Sequence, residues 1–286
     1  MSWRALCDDA AAALADRREA RILIEEVAGV PYSRLFPELD AAPPAGARAS
    51  LEGLVARRRA GEPLQHVVGH WPFRTLELVV DRRALVPRPE TELVAGHALA
   101  QLVRVRALRP PGATLVAADL GTGSGAIACA LVSEAEDLAV LAVDASADAL
   151  RLAAVNRDRL GCQARARLEL RAGDWYGGID ERWRHGIDCV VANPPYLAER
   201  EWGGLDPVVR DFDPYAALVA GPEGTEAIAA IVAGAPEFLA PHGALVVEIA
   251  PHQADVALGL ARRAGFAVAT VEEDLAGRPR ALVARS

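Results

Sequence analysis

The feature that most constrains the fold of this chain is a glycine-rich turn set between two regular runs. Asp119-Leu120-Gly121-Thr122-Gly123-Ser124-Gly125-Ala126 separates a strand-like run at 114–119 from a helix-like stretch at 124–134. Bare glycine backbone at a strand-to-helix turn lets a nucleotide-like ligand approach the main chain closely. A second strand-like run, 139–144, ends on Asp144. A carboxylate there can accept hydrogen bonds from both hydroxyls of a ribose. Gly121, Gly123 and Ala126 also satisfy G-x-G-x-x-A, so on these residues alone a dinucleotide is as good a ligand as any other ribose. A turn that merely reverses the chain would not need the acid.

The rhythm continues: a helix-like stretch at 146–160, then apolar runs at 167–172, 188–192, 244–250, 267–271 and 280–284. Strands alternating with helices predict a doubly wound α/β domain whose parallel sheet has seven strands covered by helices. The preceding residues differ. Up to about Gly69 they are rich in Ala, Leu, Arg and Glu, and the segment 47–60 stops at Gly61 and Pro63, which predicts short amphipathic helices. Between the two, Leu76, Leu78, Val80, Ala84 and Val86 alternate around Asp81-Arg82-Arg83, predicting a hairpin turning at those three residues. The expected organisation is a helical domain at 1–72, a hairpin linker at 73–89 and a larger domain at 90–286, as suits 286 residues.

Hydrophobic residues at 52% against 24% charged ones exclude a disordered chain. The formal charge of −8 argues against stable nucleic-acid binding, which needs clustered Lys and Arg to displace counterions. Apolar stretches are interrupted by Arg, Asp or Glu, so no membrane span is expected. Cys7, Cys129, Cys162 and Cys189 are scattered, suggesting neither a zinc site nor a disulfide framework and fitting a reducing cytoplasm. His66 and His70 stand four apart but lack a third ligand, so no metal is expected.

Asn193-Pro194-Pro195-Tyr196 follows the run 188–192 and therefore falls at the carboxyl edge of the sheet, where open α/β sheets bind ligands. An amide or exocyclic amino nitrogen is a poor nucleophile because its lone pair is delocalised, so it must be held with that pair aimed at an electrophilic methyl group. The Asn193 oxygen and the Pro194 carbonyl can each accept an N–H bond, Pro195 stiffens the turn, and Tyr196 can pack on a planar group. Two prolines can also simply end a strand. Gly173-Asp174-Trp175, after the third sheet run, offers an acidic group and an apolar wall for adenine, or else a core tryptophan.

With these residues assembled, the chain resembles the bacterial peptide chain release factor glutamine methyltransferases over nearly its full length. The similarity includes the glycine turn, Asn193-Pro194-Pro195-Tyr196, Gly61-Glu62-Pro63-Leu64, Pro87-Arg88-Pro89-Glu90-Thr91-Glu92 and Val209-Arg210-Asp211. It departs at 197–202 and at Glu248-Ile249-Ala250, where Glu-Ile-Gly is common in the family. The resemblance implies a seven-stranded, Rossmann-like class I methyltransferase domain behind a small amino-terminal helical domain and a β-hairpin. It implies methylation of the glutamine in the GGQ motif of class-I release factors by S-adenosylmethionine; the protein is expected to be a cytoplasmic monomer. On that basis Gly121, Thr122, Gly123, Ser124 and Gly125 would cradle the methionine part of the cofactor. Asp144 would hold its ribose, Asp174 and Trp175 its adenine side, and Asn193, Pro194, Pro195 and Tyr196 the glutamine, with 88–92 bordering the site. Asn193 would also border the cofactor. The helical domain would dock the release factor, Arg57, Arg58 and Arg59 being candidates there against a solvated helix face. The alternative is an amino-group methyltransferase acting on a nucleic acid or another protein; a NAD-dependent oxidoreductase would leave Asn193-Pro194-Pro195-Tyr196 unused.

Overall fold

A computed structural model describes all 286 residues. The chain forms two compact units, Met1–His70 together with Asp206–Phe212, and Trp71–Leu205 together with Asp213–Ser286.

The first unit is helical. Helices α1 (Trp3–Leu14), α2 (Arg17–Ala28) and α3 (Ala47–Arg59) bury Trp3, Leu6, Cys7 and Ala10, then Ala20, Leu23 and Ile24, then Ala47 and Leu51. These spacings of three and four residues place each set on one helix face. The Ser2 hydroxyl caps α1 by accepting from the Ala5 N–H, and the Asp16 carboxylate caps α2 by accepting from Arg18 and Glu19. Both remove orphan amide donors. Of the arginines considered for docking, two are fasteners within this unit. Arg58 makes a forked pair with Glu19 at 2.8 and 2.9 Å, and Arg57 binds Glu62 and the carbonyls of His66 and Val67. His66 is buried in a short helix, whereas His70 pairs with Glu26. No three or more His, Cys, Asp or Glu side chains come together as metal ligands, and no helix is long and apolar enough to cross a membrane.

The second unit carries the sheet. Its strands are β1 (Leu115–Leu120), β2 (Leu138–Asp144), β3 (Leu168–Ala172), β4 (Ile187–Ala192), β5 (Leu239–Glu248), β6 (Val268–Glu273) and β7 (Pro279–Arg285), in the order β6-β7-β5-β4-β1-β2-β3. Around it run α4 (Pro89–Arg106), α5 (Ala126–Glu134), α6 (Ala147–Asp158), α7 (Glu226–Phe238) and α8 (Ala254–Arg263). Strands β1 and β4 are wholly buried, as strands covered on both faces must be. The chain winds outward from β1 through β2 and β3, then restarts beside β1 at β4. This reversal places a crevice at the carboxyl ends of β1 and β4.

Two expectations are corrected. The sheet is mixed, because β7 runs antiparallel to both β5 and β6. Only the short turn around Asp274 and Gly277 joins β6 to β7, too short for the crossover that a parallel pair requires. The hairpin turns earlier than the alternation implied. Its strands are His70–Phe73 and Leu76–Val79, so the reversal falls at Arg74 and Thr75. Arg74 takes a positive φ of 53° and is pinned there by a forked pair with Glu134 on α5 and a bond to the Glu92 carbonyl. Asp81-Arg82-Arg83 does form a turn, but Pro87 and Pro89 follow it, and a residue without an N–H cannot extend a ladder. The alternation of Val80, Ala84 and Val86 instead reflects burial.

Candidate active site

The glycine turn is built from a chain reversal that strongly favours glycine. Gly121, Gly123 and Gly125 adopt φ of 72°, 58° and 82°, a region costly for side chains with a Cβ. Space is tight as well: a Cβ on Gly121 would lie 3.2 Å from the Trp175 ring, and one on Gly125 would lie 3.2 Å from the Ala153 Cβ. Beneath the turn, Asp119 is buried at 1% exposure and accepts from the Thr122 hydroxyl at 2.6 Å and the Ala128 N–H at 3.1 Å. Burial pushes its carboxyl up to about 7, although both hydrogen bonds oppose that rise.

Asp144 closes β2. Its two oxygens accept from the Gly123 N–H and the Ser146 N–H, each at 2.8 Å, so the acid and the glycine turn hold each other. Each carboxylate oxygen has a second lone pair for a ligand hydroxyl. Burial raises its pKa, and the two amide donors offset that.

Asn156 was not anticipated. It occupies the buried stripe of α6 with Ala149, Leu152 and Ala153, and a polar residue in an apolar stripe is the signal the sequence offered. Its side chain accepts from the Val79 N–H at 2.7 Å and donates to the carbonyls of Val79 and Ser124 at 3.0 and 2.9 Å. It thereby ties the second hairpin strand to the glycine turn. Asn156→Ala is expected to destabilise the protein by about 3 kcal/mol in chemical denaturation, because each buried orphan group costs about 1–3 kcal/mol. Wild-type stability would show that these bonds contribute nothing net.

At the end of β4, the Asn193 side-chain nitrogen donates to the Thr91 hydroxyl at 3.1 Å, and that hydroxyl donates to the Glu248 carboxylate at 2.8 Å. The loop beyond is anchored through the buried Gln253, whose amide donates to the carbonyls of Tyr196 and Gly224. The Tyr196 N–H in turn reaches the Leu218 carbonyl.

A cavity of about 330 Å³ joins these parts. Its wall includes Gly121, Thr122, Gly123, Ser124, Asp144, Asp174, Trp175, Asn193 and Pro195, brought together from four strand ends. Thr91 contributes from the 88–92 stretch. Gly125, Pro194 and Tyr196 do not line it; Gly125 packs on α6, and Pro194 is buried. Sequence reasoning missed Ala84 and Leu85 before α4, and Pro214, Ala216 and Ala217 far along the chain, none of which has a local signature. Trp175 holds a positive φ of 46°, an uncommon conformation for a bulky residue.

Comparison with known proteins gives two family models that match consecutive parts of the chain. Residues 7–69 match the PrmC N-terminal domain and residues 100–204 the methyltransferase small domain. Among curated proteins, the release factor glutamine methyltransferase of Cereibacter sphaeroides is 39% identical over 94% of this chain and 90% of its own length. That of Streptomyces coelicolor is 38% identical over 91% and 89%. Among solved structures, the hMettl16 catalytic domain in complex with a MAT2A 3'UTR hairpin covers 84% of this chain and 81% of its own, with TM-score 0.56 and 12% identity. At that identity the likeness concerns the fold alone.

Proposed function

Because the chain belongs to the release factor glutamine methyltransferase family, we propose that it transfers the methyl group of S-adenosylmethionine to the side-chain amide nitrogen of the glutamine in the GGQ motif of class-I peptide chain release factors. The observation that carries this reading is the shared cavity. A turn and acid suited to a ribose-bearing cofactor open onto the same space as Asn193 and Pro195, at the carboxyl ends of β1, β2 and β4.

The residues fit the cofactor. Gly121 and Gly123 leave bare backbone on the cavity wall, Asp144 offers free lone pairs to a ribose, and Asp174 with Trp175 supplies a polar group and an aromatic wall for adenine. When bound, S-adenosylmethionine supplies an electrophilic methyl group on a positively charged sulfur. The rest falls to this chain. Asn193 Oδ1, on the cavity wall, accepts an N–H of the glutamine amide, which turns the nitrogen lone pair toward the methyl group. The nitrogen becomes acidic only as it is alkylated and then releases a proton to water, so no strong base is needed beforehand. The amino-terminal residues 1–72 dock the release factor and residues 90–286 perform the transfer, in a cytoplasmic monomer.

The test is transfer of labelled methyl from S-adenosylmethionine to purified release factor, with a nucleic-acid control. Label on the release factor alone is expected. Label on nucleic acid alone would favour the alternative substrate class.

A further inference from the structure

We propose that Thr91 and Glu248 are positioning residues that fix which way the Asn193 amide faces, so that its oxygen rather than its nitrogen meets the substrate. This inference rests on the methyl-transfer reading above for its consequence, but not for its geometry.

The direction follows from donor and acceptor counting. An ionised carboxylate only accepts, so the Thr91 hydroxyl must spend its one proton on Glu248, at 2.8 Å. Its oxygen is then left to accept, and the group 3.1 Å away on Asn193 must be the NH2. The opposite edge of the Asn193 side chain is therefore the oxygen. An asparagine amide is nearly symmetric in shape, and nothing steric distinguishes its two orientations. The distinction comes from this relay. Turned the other way, Asn193 would present N–H to the N–H of the incoming amide and repel it.

Burial makes the relay stiff: Thr91 is 3% exposed and Glu248 2%. Neither residue is explained by packing alone. Thr91 stands on the apolar face of α4 in register with Val94, Ala95 and Ala98, and Glu248 ends the buried strand β5 beside Ala281 of β7.

The relay is also reversible. If Glu248 gains a proton, it can donate to Thr91, whose hydroxyl then donates toward Asn193 and favours the turned amide. Burial raises the Glu248 carboxyl to about 7, against the Thr91 hydroxyl and Arg280. The charged and titratable groups facing it are Arg280 on β7, Arg88 and Glu90 at the start of α4, and Tyr196 beyond β4. Transfer is therefore expected to weaken as pH falls through about 7.

The test uses the full chain with S-adenosylmethionine and release factor in single-turnover mode, beside exchange of the Asn193 side-chain amide protons followed by NMR. Thr91→Val is expected to lower the transfer rate on the order of tenfold to a hundredfold with cofactor affinity unchanged, and Thr91→Ser to restore it. Glu248→Gln is expected to lack the acidic limb of the pH profile. Asn193 amide protons should exchange slowly in the wild type and in Thr91→Ser, and faster in Thr91→Val. Equal exchange in wild type and Thr91→Val overturns the relay whatever the substrate is. Slow exchange with no transfer to release factor in the wild type would instead remove the substrate reading and leave the relay standing. Full transfer by Thr91→Val would refute its role in positioning.

Discussion

Asn193→Ala is expected to lower the rate constant for methyl transfer on the order of a hundredfold, with cofactor affinity close to that of the wild type. The Asn193 side chain projects from the end of β4 into the cavity, and its amide is already committed on one edge to Thr91. Removing it takes away the acceptor on the cavity wall that holds the glutamine nitrogen, and with it the aim of the lone pair. The backbone at this position is held independently, since β4 pairs with β1 and β5 on either side. The fold and the ribose subsite should therefore survive. Single-turnover kinetics beside cofactor titration separates the two effects. A variant that transfers methyl at the wild-type rate would remove Asn193 from the mechanism, and one that loses only cofactor affinity would reassign it.

The second large effect is expected at Asp144. Asp144→Ala should weaken S-adenosylmethionine binding on the order of a hundredfold or more, since two hydrogen bonds from ribose hydroxyls to a charged acceptor contribute about 1.5–3 kcal/mol each. The same carboxylate also accepts from Gly123 and Ser146, so part of the loss would come from a looser glycine turn. Asp144→Asn discriminates between these contributions, because it keeps one acceptor oxygen and the shape of the side chain. It should bind the cofactor with an affinity between those of the wild type and Asp144→Ala. Calorimetric titration gives all three values directly. Equal affinity in the three proteins would show that the ribose lies elsewhere.

What could be read from the sequence was local. The glycine turn announced itself because Gly121, Gly123 and Gly125 meet a backbone demand that few residues satisfy, and Asn193-Pro194-Pro195-Tyr196 because a strand run placed it at the sheet edge. The sheet strands were legible as apolar runs, but their directions depended on connection lengths, and the antiparallel β7 was missed by reading alternation alone. The hairpin turn at Arg74 was hidden because an arginine held there by Glu134, 60 residues away, carries no turn signature. Distance along the chain hid the rest of the site for the same reason. Thr91 and Glu248 are 157 residues apart, and Asn156 meets Val79 across 77. Each stands as a polar residue among apolar neighbours, which marks it as unusual without naming its partner. The return of Asp206–Phe212 to the helical unit likewise has no local cue.

The central claim concerns one nitrogen atom, and peptide mass spectrometry of the methylated product addresses it most directly. Purified release factor is incubated with this protein and S-adenosylmethionine, digested, and the peptide containing the GGQ motif is fragmented, beside a release factor whose GGQ glutamine is alanine. The account predicts the added mass of one methyl group on the glutamine side chain and none in the alanine variant. The same mass on another residue, or its persistence in the variant, would contradict it.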